Sequence, residues 1–327
     1  MIIDDFKGFQ GQHCESTATA SLLRHAGMEM SEPMLFGLGQ GLGFIYWKMS
    51  SMNLPFIGGR SKQFELTRTF CDNLNISLDA RETGSKKKAW SNVTEFIDRN
   101  IPVALQVDCY HLEHFQKALH FAGHFICMYG YTDTHAYIID TGTFHKVALD
   151  NLEKARFEKG PMAAKARSWT LQVNKQQPAL KDIIPKAIKA VALEFLNPPI
   201  KNIGYQGIHK LGVEVVQWID MASDPKEDLV VSADLMENGG TGGALFRNFY
   251  RDFLRESLEY LPGNQKIKKA HELYKAAASN WAQIAALIQK AGLTGEKGHL
   301  EKASVLCKET AELEKKAMEL LVTLERS

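Results

Sequence analysis

The sequence offers no disulfide framework, no zinc knuckle and no long apolar run. Its five cysteines, Cys14, Cys71, Cys109, Cys127 and Cys307, are odd in number and widely spaced, and no C-x-x-C occurs. That pattern argues against a disulfide scaffold or a zinc ribbon. Charge of either sign is not in surplus: 39 Lys and Arg against 38 Asp and Glu leave +1. Little positive charge is therefore available to neutralise a phosphate backbone, and a nucleic-acid partner is not expected. No stretch of about 18 apolar residues is present, so no membrane span is expected. The opening MIIDDFKGFQ carries acids where a secretion signal needs bases and an apolar run. No repeat with a period of about 20–50 residues is visible. These absences describe a reduced, cytoplasmic protein.

Core-forming material is ample. Hydrophobic residues make up 45% of the 327 and charged residues 24%, which is enough apolar surface to fold without cofactor or staple. The length predicts two domains of roughly 150 residues. Residues 14–26 (CESTATASLLRHA) read as a helix, and 36–60 as a Gly- and aromatic-rich folded loop or short hairpin. FELTRTFCDNL (64–74) and AWSNVTEFIDRN (89–100) have amphipathic helical spacing. Strand signals follow: VALQVD (103–108), HFICMYGY (124–131), AYIID (136–140), TGTFHKVAL and SWTLQV (168–173). Helices followed by consecutive strands predict an α+β domain with an antiparallel sheet. A polar stretch at 174–180 containing Pro178 marks a boundary, and apolar residues beyond it recur at helical spacing. The expected organisation is a domain over 1–175 and an α-helical domain over 176–327. The helical half has apolar surface enough for a homodimer or for a closed core, and both remain open.

The chemistry centres on Cys14. It stands where the loop GFQGQH meets the first helix, facing the positive end of the helix dipole, which favours thiolate over thiol. A thiolate so placed attacks carbonyl carbon; against this, free cysteines are commonly buried and inert. A base and an orienting group are then needed. His124 opens one predicted strand and Asp140 closes the next, so a hairpin turning near 132–135 brings them side by side. The carboxylate then holds one ring nitrogen and leaves the other to face the thiol, as in covalent acyl transfer. The competing readings are a turn acid before Thr141-Gly142 and a satisfied strand-end histidine.

The order Cys, His, Asp is the papain-like one. HCESTA (13–18), GLGQGLGF (37–44), FIGGR (56–60), GHFICMYGY (123–131) and IIDTG (138–142) resemble the N-terminal domain of the butirosin-biosynthesis BtrH family. ENGGTGGALFRNFYRDFLRES (237–257) and SNWAQIA (279–285) resemble the helical domain that accompanies it. The resemblance implies a papain-like cysteine-protease fold turned from hydrolysis to acyl transfer. Members of the family move an acyl chain from a carrier-protein phosphopantetheine thioester to an amine. Examples are aminoglycoside acylation and the closthioamide-type joining of carrier-bound chains to a diamine. Carried over, Cys14 is the nucleophile, His124 the base and Asp140 the orienter. The implied partners are an acyl or peptidyl carrier protein and a small-molecule amine, with no cofactor beyond the carrier's own phosphopantetheine. A cysteine peptidase or amidohydrolase on the same triad is the alternative.

The oxyanion of each tetrahedral intermediate needs donors. One is the Cys14 backbone N–H. In papain-like enzymes a glutamine stands roughly six residues before the cysteine to serve as the second donor; here that place is Gly8, and Gln10 is assigned instead of Gln12. Glu15 holds an incoming amine or favours its own first helical turn. Arg60 pairs with a phosphate, a carboxylate or an internal acid such as Glu15. Tyr46, Trp47 and Phe56 wall an acyl channel or fill a core. Gly239, Gly240, Gly242 and Gly243, with Thr241 and Arg247, make an anion site or a turn before a helix. The GLGQGLG run lacks the spacing of a dinucleotide fingerprint. His111, His114 and His120 invite a metal, but His111 and His114 lie in a segment readable as loop or helix with no third ligand indicated beside them, so no metal is assigned. Lys86, Lys87 and Lys88 read as a solvated loop or as a greeting for an acidic carrier protein.

Overall fold

The structure, a computed structural model, describes residues 1–49, 52–115 and 120–325. In chain order its elements are α1 (Cys14–His25), α2 (Glu32–Leu38), β1 (Leu42–Trp47), β2 (Phe56–Arg60), α3 (Glu65–Asn73), β3 (Ile76–Arg81), α4 (Lys86–Ile97), β4 (Val103–Val107), β5 (His124–Tyr131), β6 (His135–Asp140), β7 (Thr143–Ala148), α5 (Leu149–Phe157) and β8 (Ser168–Val173). The helices α6 (Leu180–Leu196), α7 (Gly204–Glu214), α8 (Trp218–Met221), α9 (Pro225–Asn238), α10 (Arg247–Tyr260), α11 (Gln265–Thr294) and α12 (Lys297–Leu321) follow. The class is therefore α+β with an antiparallel sheet, followed by helices. The chain forms two compact units, one of residues 1–35 and 63–177, the other of residues 36–62 and 178–327. The glycine-rich segment thus belongs with the helices.

The first unit is built on a six-stranded sheet in the order β3-β8-β4-β5-β6-β7, every neighbour antiparallel. α1 packs on β5 and β8 and is buried continuously from Glu15 to Leu23. A helix of Ser, Thr and Ala tolerates that burial because its hydroxyls are paired: Thr19 with Thr67 at 2.9 Å, and Ser21 donating to the Thr17 carbonyl. Small side chains also let the helix approach the sheet closely. β6 and β7 are joined by Thr141 and Gly142, both at positive φ (44° and 97°), the backbone of a two-residue hairpin whose twist matches the strands.

The sequence pattern does not reveal β3 or α5. ISLDAR is mostly solvent-facing and has too few apolar residues to register as a strand, yet it pairs with β8 along its whole length. Its position at a sheet edge explains the polar composition. The α4 helix starts three residues earlier than expected: Lys86, Lys87 and Lys88 form its first turn behind the Ser85 cap rather than a loop.

In the second unit the 30-residue α11 packs against α9, α10 and α12, and β1 and β2 pair antiparallel as a small sheet beside α6 and α7. Between α9 and α10 the backbone runs through positive φ at Gly242, Gly243, Ala244, Leu245 and Phe246. For residues with a Cβ this conformation costs about 1–2 kcal/mol each, so its surroundings must hold it. They do: Glu237 accepts from the Ala244 N–H and Arg247 donates to the Leu245 carbonyl. Gly59 of β2 passes so close that a Cβ there would lie 2.4 Å from the Leu245 oxygen.

Candidate active site

β5 and β6 carry the base and its partner. Cys127 faces Ile139 and Met128 faces Ile138, and continuing that register sets Ile126 opposite Asp140. His124, two residues further, shares the Asp140 face as a diagonal neighbour. Its Nε2 lies 2.8 Å from Asp140 Oδ2, both groups buried, which leaves Nδ1 for another partner. Phe115 packs edge-on to the His124 ring at 5.4 Å.

The electrostatics tie Cys14 to this pair. Burial alone would strip the proton from His124. The negative charges of Asp140, Cys109 and Cys14 outweigh it and hold the imidazolium well above the usual histidine range. Asp140 is likewise penalised by burial, but His124 and His114 drive it below the usual carboxylate range. Cys14 is also the one half-buried cysteine; the other four are buried. Burial pushes the Cys71 thiol up to about 12 and raises Cys127 and Cys307 as well, which makes those three poor nucleophiles.

Two residues that the sequence did not assign to this site shape it. His114, from the loop after β4, places its Nε2 2.8 Å from the same Asp140 oxygen and stacks on His145 at 3.9 Å. Asp140 Oδ2 thus serves two imidazoles, while Oδ1 and His114 Nδ1 are buried without a hydrogen-bond partner among the described residues. Glu32, at the start of α2, is buried and accepts from the backbone N–H groups of Gln12 and His13 and from the Ser16 hydroxyl. Burial raises its carboxyl from the usual range against those hydrogen bonds. It fixes the loop leading into Cys14, and the Cys14 N–H itself is taken by no acceptor among the described residues. His114 drew notice only as a metal candidate, because it lies in a stretch without periodicity that could be placed near Asp140, and Glu32 had no sequence signal beyond an acid in a first helical turn.

Other expected site residues lie differently. Gly8 has no room for the glutamine usual in its place, since even a Cβ would fall 2.0 Å from Ile139 Cδ1. Gln10 is exposed and runs against the Thr141–Gly142 turn, its Cα 2.8 Å from where a Gly142 Cβ would stand. Glu15 is corrected: it is fully buried, with Oε2 accepting from Phe64 N–H and Oε1 from the Thr67 N–H and hydroxyl. It serves the N-terminus of α3, neither a substrate amine nor chiefly its own helix.

Tyr46 and Arg247 are corrected too, and both belong to the second unit. Tyr46 is buried and its hydroxyl accepts from Trp218 Nε1 at 3.3 Å, so it fills a core rather than walling a channel. Arg247 is fully buried in a bidentate pair with Glu314, both contacts 2.9 Å, and donates further to the carbonyls of Gly43, Gly59 and Leu245. Its complete burial offers no exposed donor to a ligand phosphate. The neighbouring glycines meet the Glu237 carboxylate at Ala244, which repels an anion. Arg60, half-buried in β2, donates to the Ser61 and Lys62 carbonyls.

Residues 13–141 match the family model described as "Butirosin biosynthesis protein H, N-terminal", and residues 150–321 match "Domain of unknown function (DUF4872)". The chain belongs to the BtrH family. Its BtrH-type segment contains Cys14, His124, Asp140, His114 and Glu32, and its C-terminal domain contains Arg247 and Glu314. Membership in a family named for antibiotic biosynthesis points to a biosynthetic enzyme. Comparison with curated proteins gave no match. Among the described residues no helix of this BtrH-family chain is long and apolar enough to cross a membrane.

Proposed function

We propose that this protein is a cysteine-dependent acyltransferase on a papain-like scaffold, forming an amide from a carrier-protein phosphopantetheine thioester and a small-molecule amine. The observation that carries this reading is a half-exposed Cys14 at the start of α1, whose charge is felt by a buried His124 held by Asp140 at 2.8 Å.

The Cys14 thiolate attacks the thioester carbonyl. As the tetrahedral intermediate collapses, the carbon–sulfur bond to the carrier breaks, and the carrier thiolate takes the proton of the His124 imidazolium. An acyl-Cys14 thioester remains. The amine then attacks the same carbon, neutral His124 accepts its proton, and Cys14 leaves as thiolate while the amide departs. Asp140 holds His124 in the orientation and tautomer that both steps need, and stabilises the imidazolium between them. The Cys14 N–H supplies one oxyanion donor and the Gln10 amide the second. Water in place of the amine would make the enzyme a hydrolase, so the fate of the acyl-enzyme defines the activity. Lys86–Lys88 on α4 offer positive charge to an acidic carrier protein.

Intact-mass measurement with an acyl-pantetheine thioester tests the reading. The wild-type chain should gain one acyl mass, lose it on addition of a primary amine and yield the amide. Cys14→Ala should gain nothing. Turnover by Cys14→Ala would discard the nucleophile, and discharge to free acid regardless of amine would reassign the enzyme as a hydrolase.

A further inference from the structure

A second constellation lies in the same unit, outside the Cys14–His124–Asp140 set. His111 closes a short 3-10 turn after β4, and Glu158 caps the end of α5. Together with His120 they offer three ligand atoms, all within 4.8 Å of one another. His111 Nε2 and Glu158 Oε2 are already 2.6 Å apart. The sequence alone could not supply this third ligand, because 47 positions separate Glu158 from His111.

We propose that His111, His120 and Glu158 bind a divalent transition-metal ion of the Zn2+ class, with the fourth position left to water. Two imidazoles and one carboxylate suit a borderline cation and fit poorly to Mg2+ or Ca2+, which take oxygen ligands. Tetrahedral bonds near 2.0–2.1 Å set ligand atoms about 3.3 Å apart, so the wider pairs draw in while His111 Nε2 and Glu158 Oε2, now 2.6 Å apart, part to admit the ion.

What surrounds the ligands supports the assignment. Asp108 is buried, and its Oδ2 stands 3.6 Å from His120 Nδ1, the place of the carboxylate that orients a metal-bound histidine. Asp108 Oδ1 is itself held by the Tyr110 N–H at 2.8 Å. The Tyr110 ring stacks on His120 at 4.0 Å, restricting its rotation. An ion here would tie the turn after β4 to the end of α5. β4, which leads into this turn, pairs Val107 with His124, so the clip would steady the surroundings of the base without taking part in acyl transfer.

The test titrates the chelator-stripped full chain with Zn2+ against a chromophoric competitor, and with Co2+ followed by its visible d–d absorption. One equivalent is expected, with a rise in the thermal midpoint that tracks metal concentration. Cys14→Ser should bind as wild type. His120→Ala and Glu158→Gln should each weaken binding by at least about tenfold, and Asp108→Asn by about ten- to a hundredfold. His120 is exposed and Glu158 partly so, so their variants should keep the metal-free thermal midpoint. Absence of binding would overturn the proposal. So would binding that survives His120→Ala and Glu158→Gln, or binding that disappears in Cys14→Ser, which would place the ion on the thiol.

Discussion

Each unit of the chain buries a charged cluster, and the two clusters are finished differently. In the second unit the charges are matched, while the nearby Tyr250 and Tyr274 hydroxyls are buried without a hydrogen-bond partner among the described residues. Arg247 and Glu314 meet through two hydrogen bonds, three carbonyls accept from Nη1 of the guanidinium, and Trp281 Nε1 donates to Glu314 Oε1 at 2.6 Å. In the first unit the Asp140 cluster stops short: Oδ1 and His114 Nδ1 lack partners among the described residues, and Cys14, which bears electrostatically on His124, is only half-buried. A closed polar cluster holds a fold and has nothing left for a ligand. An incompletely paired one retains stored electrostatic potential that a reaction can use.

The difference can be broken by mutation. Glu314→Ala strands a fully buried guanidinium and should cost about 3–5 kcal/mol in denaturant unfolding. The double replacement Arg247→Met with Glu314→Leu should recover most of that loss, because no buried charge then remains unpaired. A double variant as unstable as the single would show that the pair does more than complete a core. A smaller effect is expected at Glu15, the acid next to Cys14. Glu15→Ala leaves the Phe64 and Thr67 donors without acceptors, at about 1–3 kcal/mol for each stranded group. The loss should appear in stability, with acyl-Cys14 formation at low temperature retained. Loss of acylation at full stability would restore Glu15 to the chemistry.

The pH dependence separates the clusters further. His124 is held protonated above its ordinary range, so the stability it contributes is present below about pH 6.5 and fades as pH rises through the raised folded value. Asp140 is depressed, so its contribution is present above the ordinary carboxylate range and is lost only in strong acid. The pair therefore operates across the neutral window between those two limits.

How much of this was readable beforehand follows from what each residue type signals. His124 and Asp140 sat on strands whose ends could be placed, so their contact could be anticipated from strand pairing. Glu15, Tyr46 and Arg247 were polar or aromatic residues beside distinctive motifs, and that position suggests contact with a ligand. Their complete burial depends on long-range packing that no local pattern reports. The places of His114 and Glu32 were hidden for the opposite reason: His114 stood out only as one of three nearby histidines, Glu32 not at all, and each gains its partners from chain far away in sequence. The α+β class and the helical second half were legible because strand alternation and helical spacing are local. β3 was not, since an edge strand with a wet face loses that alternation.

The account rests on Cys14 being the reactive thiol because His124 and Asp140 make it so, and the rate of Cys14 alkylation by iodoacetamide, mapped by peptide mass across pH 5–9, tests this most directly. Cys14 should be modified well ahead of Cys71, Cys109, Cys127 and Cys307. His124→Ala should abolish its advantage at neutral pH. Asp140→Asn, by removing the strongest charge that holds the proton on His124, should move the alkaline limb of the profile to lower pH. Modification of Cys14 at the pace of the buried thiols, or a profile indifferent to both substitutions, would contradict the account.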